Sequence, residues 1–486
     1  MKFSILYFAT LLSVSALPAN PKKNLIFMVS DGFGPASETA ARDYIQQSSK
    51  FPETYMTDLD KLLIGSSRTR SADSFVTDSA AGAVVFASGV KTYNLALGVD
   101  RDGKPIGTNM EAAHRLGYKT GVVVKSRITD ATPAAFASHV LERGMGSLIA
   151  EQMAGLVPAI GRNLDLMFGG GKCMFMPNTT TGSCRADTLD VISEMSSSGW
   201  SISQTRDEFN NIPVDAKLPI AGMYALDNVP YSIDYPVNNV PSLPEMAKKA
   251  LSILAEASKD SEHGFYVLIE GSRIDHAGHD NDLGTHIREI IEYYETIRVV
   301  SEFIDANPNT VMVSTSDHET GGLGLGRDNK YVYYPLTYQN QTKSIEQSCL
   351  GLLNLPLSQR GAYVTEQMLP VHLGISNVTE SVASAVLAST IKSQCLLSMS
   401  AALSRDSNIL WSTLGHTGVD VNLYAKGATT EQLSGCHENT DIGKWLTNYL
   451  NVNIDAVTKD IANISVAQYP YTRNPSTFVY ENYSHE

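Results

Sequence analysis

Four short apolar runs, 24–29 (NLIFMV), 120–124 (TGVVV), 264–269 (GFYVLI) and 310–314 (TVMVS), alternate with longer helix-like stretches such as 134–143, 244–257 and 285–306. The runs have the length and composition of strands and are punctuated by turn residues. Strands without polar alternation are buried on both faces, and alternating strand and helix is the pattern of a parallel sheet covered by helices. The chain is therefore predicted to adopt an α/β fold of three layers, with a large, mostly parallel central sheet and helices on both faces. Polar residues fall where the runs end: Asp31 after the first, Glu270 after the third, Asp317 and His318 after the fourth. Ligands of open α/β sheets bind beyond the carboxyl ends of the strands. These acids should converge on one rim, which core packing alone would not require.

If Asp31, Glu270, Asp275 and Asp317 share that rim, their charges repel unless they are protonated or paired. Arg273 is the basic residue nearest them in sequence, so cations are the economical solution, and His279, His318 and His416 offer nitrogen ligands. Asp275 and His279 are four apart, which a helical turn places on one face. Adjacent Asp317 and His318 converge only in a turn or an irregular strand end. Asp and His suit zinc, and two close metals can hold both the entering and leaving oxygens of a phosphoryl transfer. The segment FVTDSAAGA supplies Ser79, a hydroxyl that needs activation before it can attack. Ser79 precedes the small-residue stretch AAGAVVFASG and should stand at a helix N-terminus, where anions are favoured, with Asp78 as the helix cap.

The chain has 486 residues, 43% apolar and 18% charged, a globular composition compatible with two to four domains or with one elaborated domain. Its formal charge of −14 gives no support to a nucleic-acid binder, while bound cations can still make one site attractive to an anion. Residues 1–16 carry Lys2 and the apolar run SILYFATLLSVSA, with Val14 and Ala16 as a small-residue cleavage pattern. A secretory signal peptide is expected there. An uncleaved anchor is the alternative, but the run is shorter than the roughly 20 residues of a spanning helix. The sequons at Asn178, Asn340, Asn377, Asn463 and Asn482 fit a secretory route, with an extracellular or cell-wall destination expected and a vacuole as the alternative. Of the five cysteines, Cys173 and Cys184 bracket a turn-rich stretch and should pair; one further pair at most can form. Residues 326–415 differ in character, with a Tyr-rich piece and an Ala/Ser-rich helical stretch, and read as an inserted subdomain, a dimer or entrance element.

In chain order, the motifs MVSDGFG, VTDSAAGA, DATPAAFASHVLER, EGSRIDHAGH, SDHETGG and GHTG resemble those of the alkaline phosphatases, fungal members above all. The resemblance runs from about residue 24 to 418. It implies a metal-dependent phosphomonoester hydrolase with a phosphoserine intermediate on Ser79, two zinc ions, one magnesium, a crown-like inserted subdomain and a homodimer. Asp275, His279 and His416 would hold one zinc, and Asp31, Asp317 and His318 the other. Magnesium would take Asp31, Thr132 and Glu270, with Asp130 acting through water, an oxygen set that suits a hard ion. Arg143 would fork onto two phosphate oxygens, presented by a helix that begins at Pro133. The family pairs Asp with Lys in bacterial members, or His with His in animal ones, at the positions of Asp130 and His276; this chain mixes the two. The remaining histidines, His114, His139, His263, His286, His372, His437 and His485, are expected to be structural. A phosphodiesterase or sulfatase of the same superfamily is the competing enzyme, although Ser79 lacks a C/S-x-P-x-R context. A non-catalytic zinc- or phosphate-binding relative is the competing class, although every expected ligand is intact. Small phosphomonoesters are the expected substrates, without nucleic-acid binding or a stable membrane span.

Overall fold

The computed structural model describes residues 22–235 and 239–467. The expected signal peptide, Asn482 and His485 lie outside these residues. In chain order the strands are β1 (Asn24–Val29), β2 (Leu63–Arg68), β3 (Lys119–Arg127), β4 (Leu166–Gly170), β5 (Ser201–Ser203), β6 (Ile220–Met223), β7 (Phe265–Glu270) and β8 (Thr310–Thr315). Next come β9 (Glu319–Thr320), β10 (Leu323–Gly324), β11 (Leu410–Trp411) and β12 (His416–Thr417), and finally β13 (Val421–Lys426) and β14 (Gly435–Glu438). Ten of them form one sheet in the order β14-β2-β13-β8-β1-β7-β3-β4-β6-β5, and β10-β11 and β12-β9 form two short ribbons. Within the sheet the pairings are parallel except those of β13, which runs antiparallel to β2 and β8. The expected mostly parallel sheet is present.

β1 and β7 show why the runs are continuously apolar. Ile26 and Met28 of β1, with Phe265, Val267 and Ile269 of β7, pack into one cluster with the helices Leu243–Ser258 and Leu283–Ala306. Leu25, Phe27 and Val29, with Tyr266 and Leu268, enter a second cluster on the other side with the helices Ser79–Ser88 and Asn439–Leu450. Alternate side chains therefore meet helices on opposite faces, and each fully buried apolar side chain contributes about 1.5–3 kcal/mol.

Segment 326–415 is mostly helical, including Ile345–Leu353, Glu380–Leu387 and Lys392–Ser407. Its Ile345, Leu352, Met368 and Leu403 belong to the same apolar cluster as β1, so it packs directly on the sheet's helical layer. Cys349 and Cys395 form the second disulfide, with Cys173–Cys184 paired as expected and Cys436 free and exposed. Separations of 46 and 11 residues give loop-closure contributions of about 4 and about 3 kcal/mol.

One expected helix is absent. Over 134–143 only the end of a single turn, Ala131–Ala134, is helical. Val140 instead bridges Leu97, Arg143 N–H donates to Leu95 O, and His139 is drawn into a buried pair with Glu111 at 2.9 Å. These long-range bonds override the helical preference of the alanines. Among the described residues, no helix is long and apolar enough to cross a membrane.

Candidate active site

The carboxyl ends of β1, β7 and β8 lie side by side, since β1 pairs with both β7 and β8 in register. Asp31, Glu270 and Asp317 leave the sheet there. The turn after β1 needs Gly32, whose φ is +73° and whose added Cβ would lie 2.6 Å from Asp275 Cα. Asp275 and His279 sit one turn apart on the helix Arg273–His279 that follows β7. His416 arrives on β12, which pairs with β9 immediately after His318. Ligands far apart in sequence thus meet through one parallel sheet edge and one two-stranded ribbon.

They meet as two groups of three: Asp275, His279 and His416, and Asp31, Asp317 and His318, the ligand atoms in each lying within 4.8 Å of one another. His416 Nδ1–H donates to Thr77 O at 2.8 Å, and His279 Nδ1–H donates to Leu414 O. In both rings this turns Nε2 inward as the acceptor, and the two Nε2 atoms are 3.1 Å apart. Two acceptor nitrogens facing each other at that distance require a shared proton or a cation. In the second group, Asp31 Oδ1 and Asp317 Oδ2 are buried and accept no hydrogen bond of ordinary geometry, though both face His318 Nε2, at 3.6 and 3.2 Å. The two donor sets fit divalent cations bound by nitrogen and oxygen.

The electrostatics agree. Burial, and then the charges of Asp317, Asp275 and Glu270, raise the Asp31 carboxyl well above its ordinary range. Burial pushes Glu270 up to about 8. Burial also opposes ionisation of Asp275, but the neighbouring His279, His416 and His318 hold it well below the usual carboxylate range. Protons that fill such a site are displaced when a cation binds.

Ser79 is the first residue of the helix Ser79–Ser88, and Asp78 caps that helix by accepting from Ala81 N–H. Ser79 Oγ lies 3.0 Å from His318 Nε2, at the edge of the second group. Asp78 also reaches Arg143: one guanidinium nitrogen donates to Asp78 Oδ2 at 3.3 Å and another to Asp130 Oδ1 at 2.8 Å. Arg143 is held by these carboxylates and comes from a loop, not from the expected helix.

The oxygen set is less tightly gathered. Glu270 Oε2 accepts from Ser272 Oγ at 2.6 Å and from Ser126 Oγ at 3.3 Å. Thr132 Oγ1 is buried without a hydrogen bond of ordinary geometry, close enough to Glu270 to lower its pKa. Asp130 caps the turn Ala131–Ala134 and turns its oxygens toward Arg143 and Arg127.

Three supporting residues escape a reading of the sequence. Thr320 Oγ1 donates to Asp275 Oδ1 and lies 3.3 Å from His318 Nδ1, touching one ligand of each group. Glu319 accepts from Gly322 N–H at 2.9 Å and from the Thr417 hydroxyl, bracing β9 against β12. Ser272 tethers Glu270 and accepts from the Ser126 N–H at 3.0 Å. Thr320 was findable, because residues two apart in an extended chain share a face with His318. Ser272 and Glu319 carry no signal of their own.

The family model described as "Alkaline phosphatase" matches residues 22–452. The chain is 40% identical over 452 residues to the alkaline phosphatase of Schizosaccharomyces pombe, covering 91% of this chain and 84% of that one. It is also 40% identical over 476 residues to the repressible alkaline phosphatase of Saccharomyces cerevisiae, covering 90% and 83%. Among solved structures, the cold-active alkaline phosphatase of a psychrophilic Shewanella superposes with a TM-score of 0.75 at 30% identity, over 88% of this chain and 99% of that one. Sequence, sheet and clustered ligands lead to one conclusion: the chain belongs to the alkaline phosphatase family and is a phosphoric monoester hydrolase.

Proposed function

We propose that Ser79 is the nucleophile of this hydrolase and that the reaction passes through a phosphoserine. The observation that carries this reading is the Ser79 hydroxyl, buried at a helix N-terminus and 3.0 Å from a member of the Asp31–Asp317–His318 group. Asp275, His279 and His416 would hold one zinc, Asp31, Asp317 and His318 a second, and Asp31, Thr132 and Glu270, with Asp130, a magnesium. When bound, these cations supply positive charge that polarises phosphoryl oxygens and lowers the pKa of a hydroxyl or water beside them.

The residues of the chain do the rest. The N-terminus of the helix that begins at Ser79 favours the charge of the incoming anion, with the Ala81 N–H already taken by Asp78. Arg143, steered by Asp78 and Asp130, offers two N–H groups in a fixed fork to two phosphate oxygens. Ser79 Oγ forms a bond to phosphorus as the bond to the alcohol oxygen breaks, and the proton given up by the Ser79 hydroxyl leaves on the alcohol. Water then attacks phosphorus from the side the alcohol vacated, opposite Ser79; the bond from phosphorus to Oγ breaks, a water proton returns to Oγ, and inorganic phosphate is released.

The same proposal includes entry to the secretory pathway through residues 1–16, an extracellular or cell-wall destination or a vacuole, a homodimer, and 326–415 as an inserted subdomain at the dimer or entrance. Both disulfides suit an oxidising compartment, and Asn178, Asn340, Asn377 and Asn463 are all exposed or half-buried at the surface, where glycan acceptors must lie.

Ser79→Ala is expected to remove the covalent intermediate. Acid quenching after brief exposure to labelled phosphomonoester should trap phosphate on the wild type and none on the variant. A phosphoenzyme formed equally by Ser79→Ala would overturn the assignment.

A further inference from the structure

We propose that Arg273 is a positioning residue that fixes the tautomer of His276, with Nδ1 as acceptor and the proton on Nε2, and that Glu346 of segment 326–415 holds Arg273 in place. The proposal rests on the reading above that Asp130 and Arg143 serve the phosphate.

Arg273 opens the helix that also carries Asp275, His276 and His279. Its guanidinium is enclosed on every side. Nε–H donates to His276 Nδ1 at 3.2 Å, one terminal nitrogen donates to Val229 O at 3.2 Å, and the other donates to Glu346 Oε2 at 2.9 Å. The flat face lies 3.5 Å from the centroid of the Tyr231 ring. Glu346, on the helix Ile345–Leu353, also accepts from Lys392 Nζ at 2.8 Å, so a second helix of segment 326–415 braces the carboxylate.

A guanidinium has N–H donors and no acceptor. The His276 Nδ1 it touches must therefore present a lone pair, and the neutral ring then carries its hydrogen on Nε2. A doubly protonated His276 would set two N–H groups against each other. Asp130 lies within electrostatic reach of His276, and Asp130 is the residue that steers Arg143. Arg273 thus keeps His276 a hydrogen donor at Nε2. The lever behind that setting is Glu346, which belongs to a different part of the chain. A lysine at 273 could not keep all three bonds, because an ammonium is a point charge without the planar fork.

The test uses the full-length, zinc-loaded protein labelled with 15N in histidine. In the wild type, His276 is expected to show an unprotonated Nδ1 and a protonated Nε2. Arg273→Lys should give a mixture of tautomers and weaken inhibition by inorganic phosphate about tenfold, the loss of one charge-assisted bond, with zinc content unchanged. In a His276→Ala background the same change should cost less than about twofold, because the effect runs through the imidazole. Glu346→Gln, which keeps the guanidinium and the volume, is the second variant, should Arg273→Lys fail to fold. It should move the tautomer in the same direction and weaken phosphate about threefold. An unmoved His276 signal in both variants, or an undiminished penalty in the His276→Ala background, overturns the proposal. Absence of phosphate release by the wild type would instead sink the functional reading, since the tautomer is measured without turnover.

Discussion

The two histidine-bearing groups and the oxygen-only set occupy the same rim but are built differently. The histidine groups are framed by the chain around them: backbone carbonyls at Thr77 and Leu414 aim two imidazoles, the β9-β12 ribbon fixes a third strand end, and Thr320 bridges the groups. The oxygen set has no such frame. Glu270 is tethered by serines, Asp130 is committed to two arginines, and the carboxyl of Glu270 favours its protonated form. Both sets must release protons when a cation binds, but framed ligands bind with little conformational cost, whereas the oxygen set must also rearrange. The histidine groups should therefore behave as constitutive parts of the enzyme and the oxygen set as an adjustable one.

The largest effect that would break this contrast is at Asp317. Asp317→Ala should lower turnover of nitrophenyl phosphate on the order of 10^3-fold or more, with loss of zinc that excess metal does not reverse. Glu270→Gln should cost about 10- to 100-fold and recover in part with added magnesium. Equal losses, measured by turnover together with metal content, would erase the distinction. Arg143→Ala should be smaller again, about tenfold and mainly in phosphate affinity, because one fork of hydrogen bonds is lost while the donor groups stay intact. A collapse matching Asp317→Ala would move Arg143 into the same class as the ligands.

The smallest effect is on stability. In chelator-treated protein, Glu270 binds its proton more tightly folded than unfolded, since its pKa rises from 4.5 to about 8. The folded state therefore holds more protons between those values, and stability must fall as pH climbs through that window. Melting temperatures recorded from pH 5 to 9 should decline by a few degrees, and magnesium should restore most at the alkaline end. A melting temperature that rises with pH across this range would contradict the Glu270 assignment.

Much of this is legible in the residues because β1, β7 and β8 are buried on both faces and lead straight into acids, which a rim of ligands requires and core packing does not. The helices Leu243–Ser258 and Leu283–Ala306 match their sequence boundaries within two residues. What could not be read was set by distant partners. The alanines after Pro133 favour helix locally, yet Leu95 and Leu97 pull that backbone into a loop, and Asp78 and Asp130 then aim Arg143. β2 reads LIGSSR, half exposed and serine-rich, and gives no strand pattern of its own. Asp78 is legible as a cap from its place before small residues, but its second contact with Arg143 spans 65 positions and leaves no local trace.

The place of β2 in the sheet also shapes how the molecule is made. Its neighbours are β13 and β14, about 350 positions further along, so β2 is synthesised long before either strand it pairs with. His416 emerges just ahead of them. A nascent polypeptide halted before that point would expose an unmatched edge and lack one member of the Asp275–His279–His416 group, so the rim is complete only once the last strands of the sheet have been made.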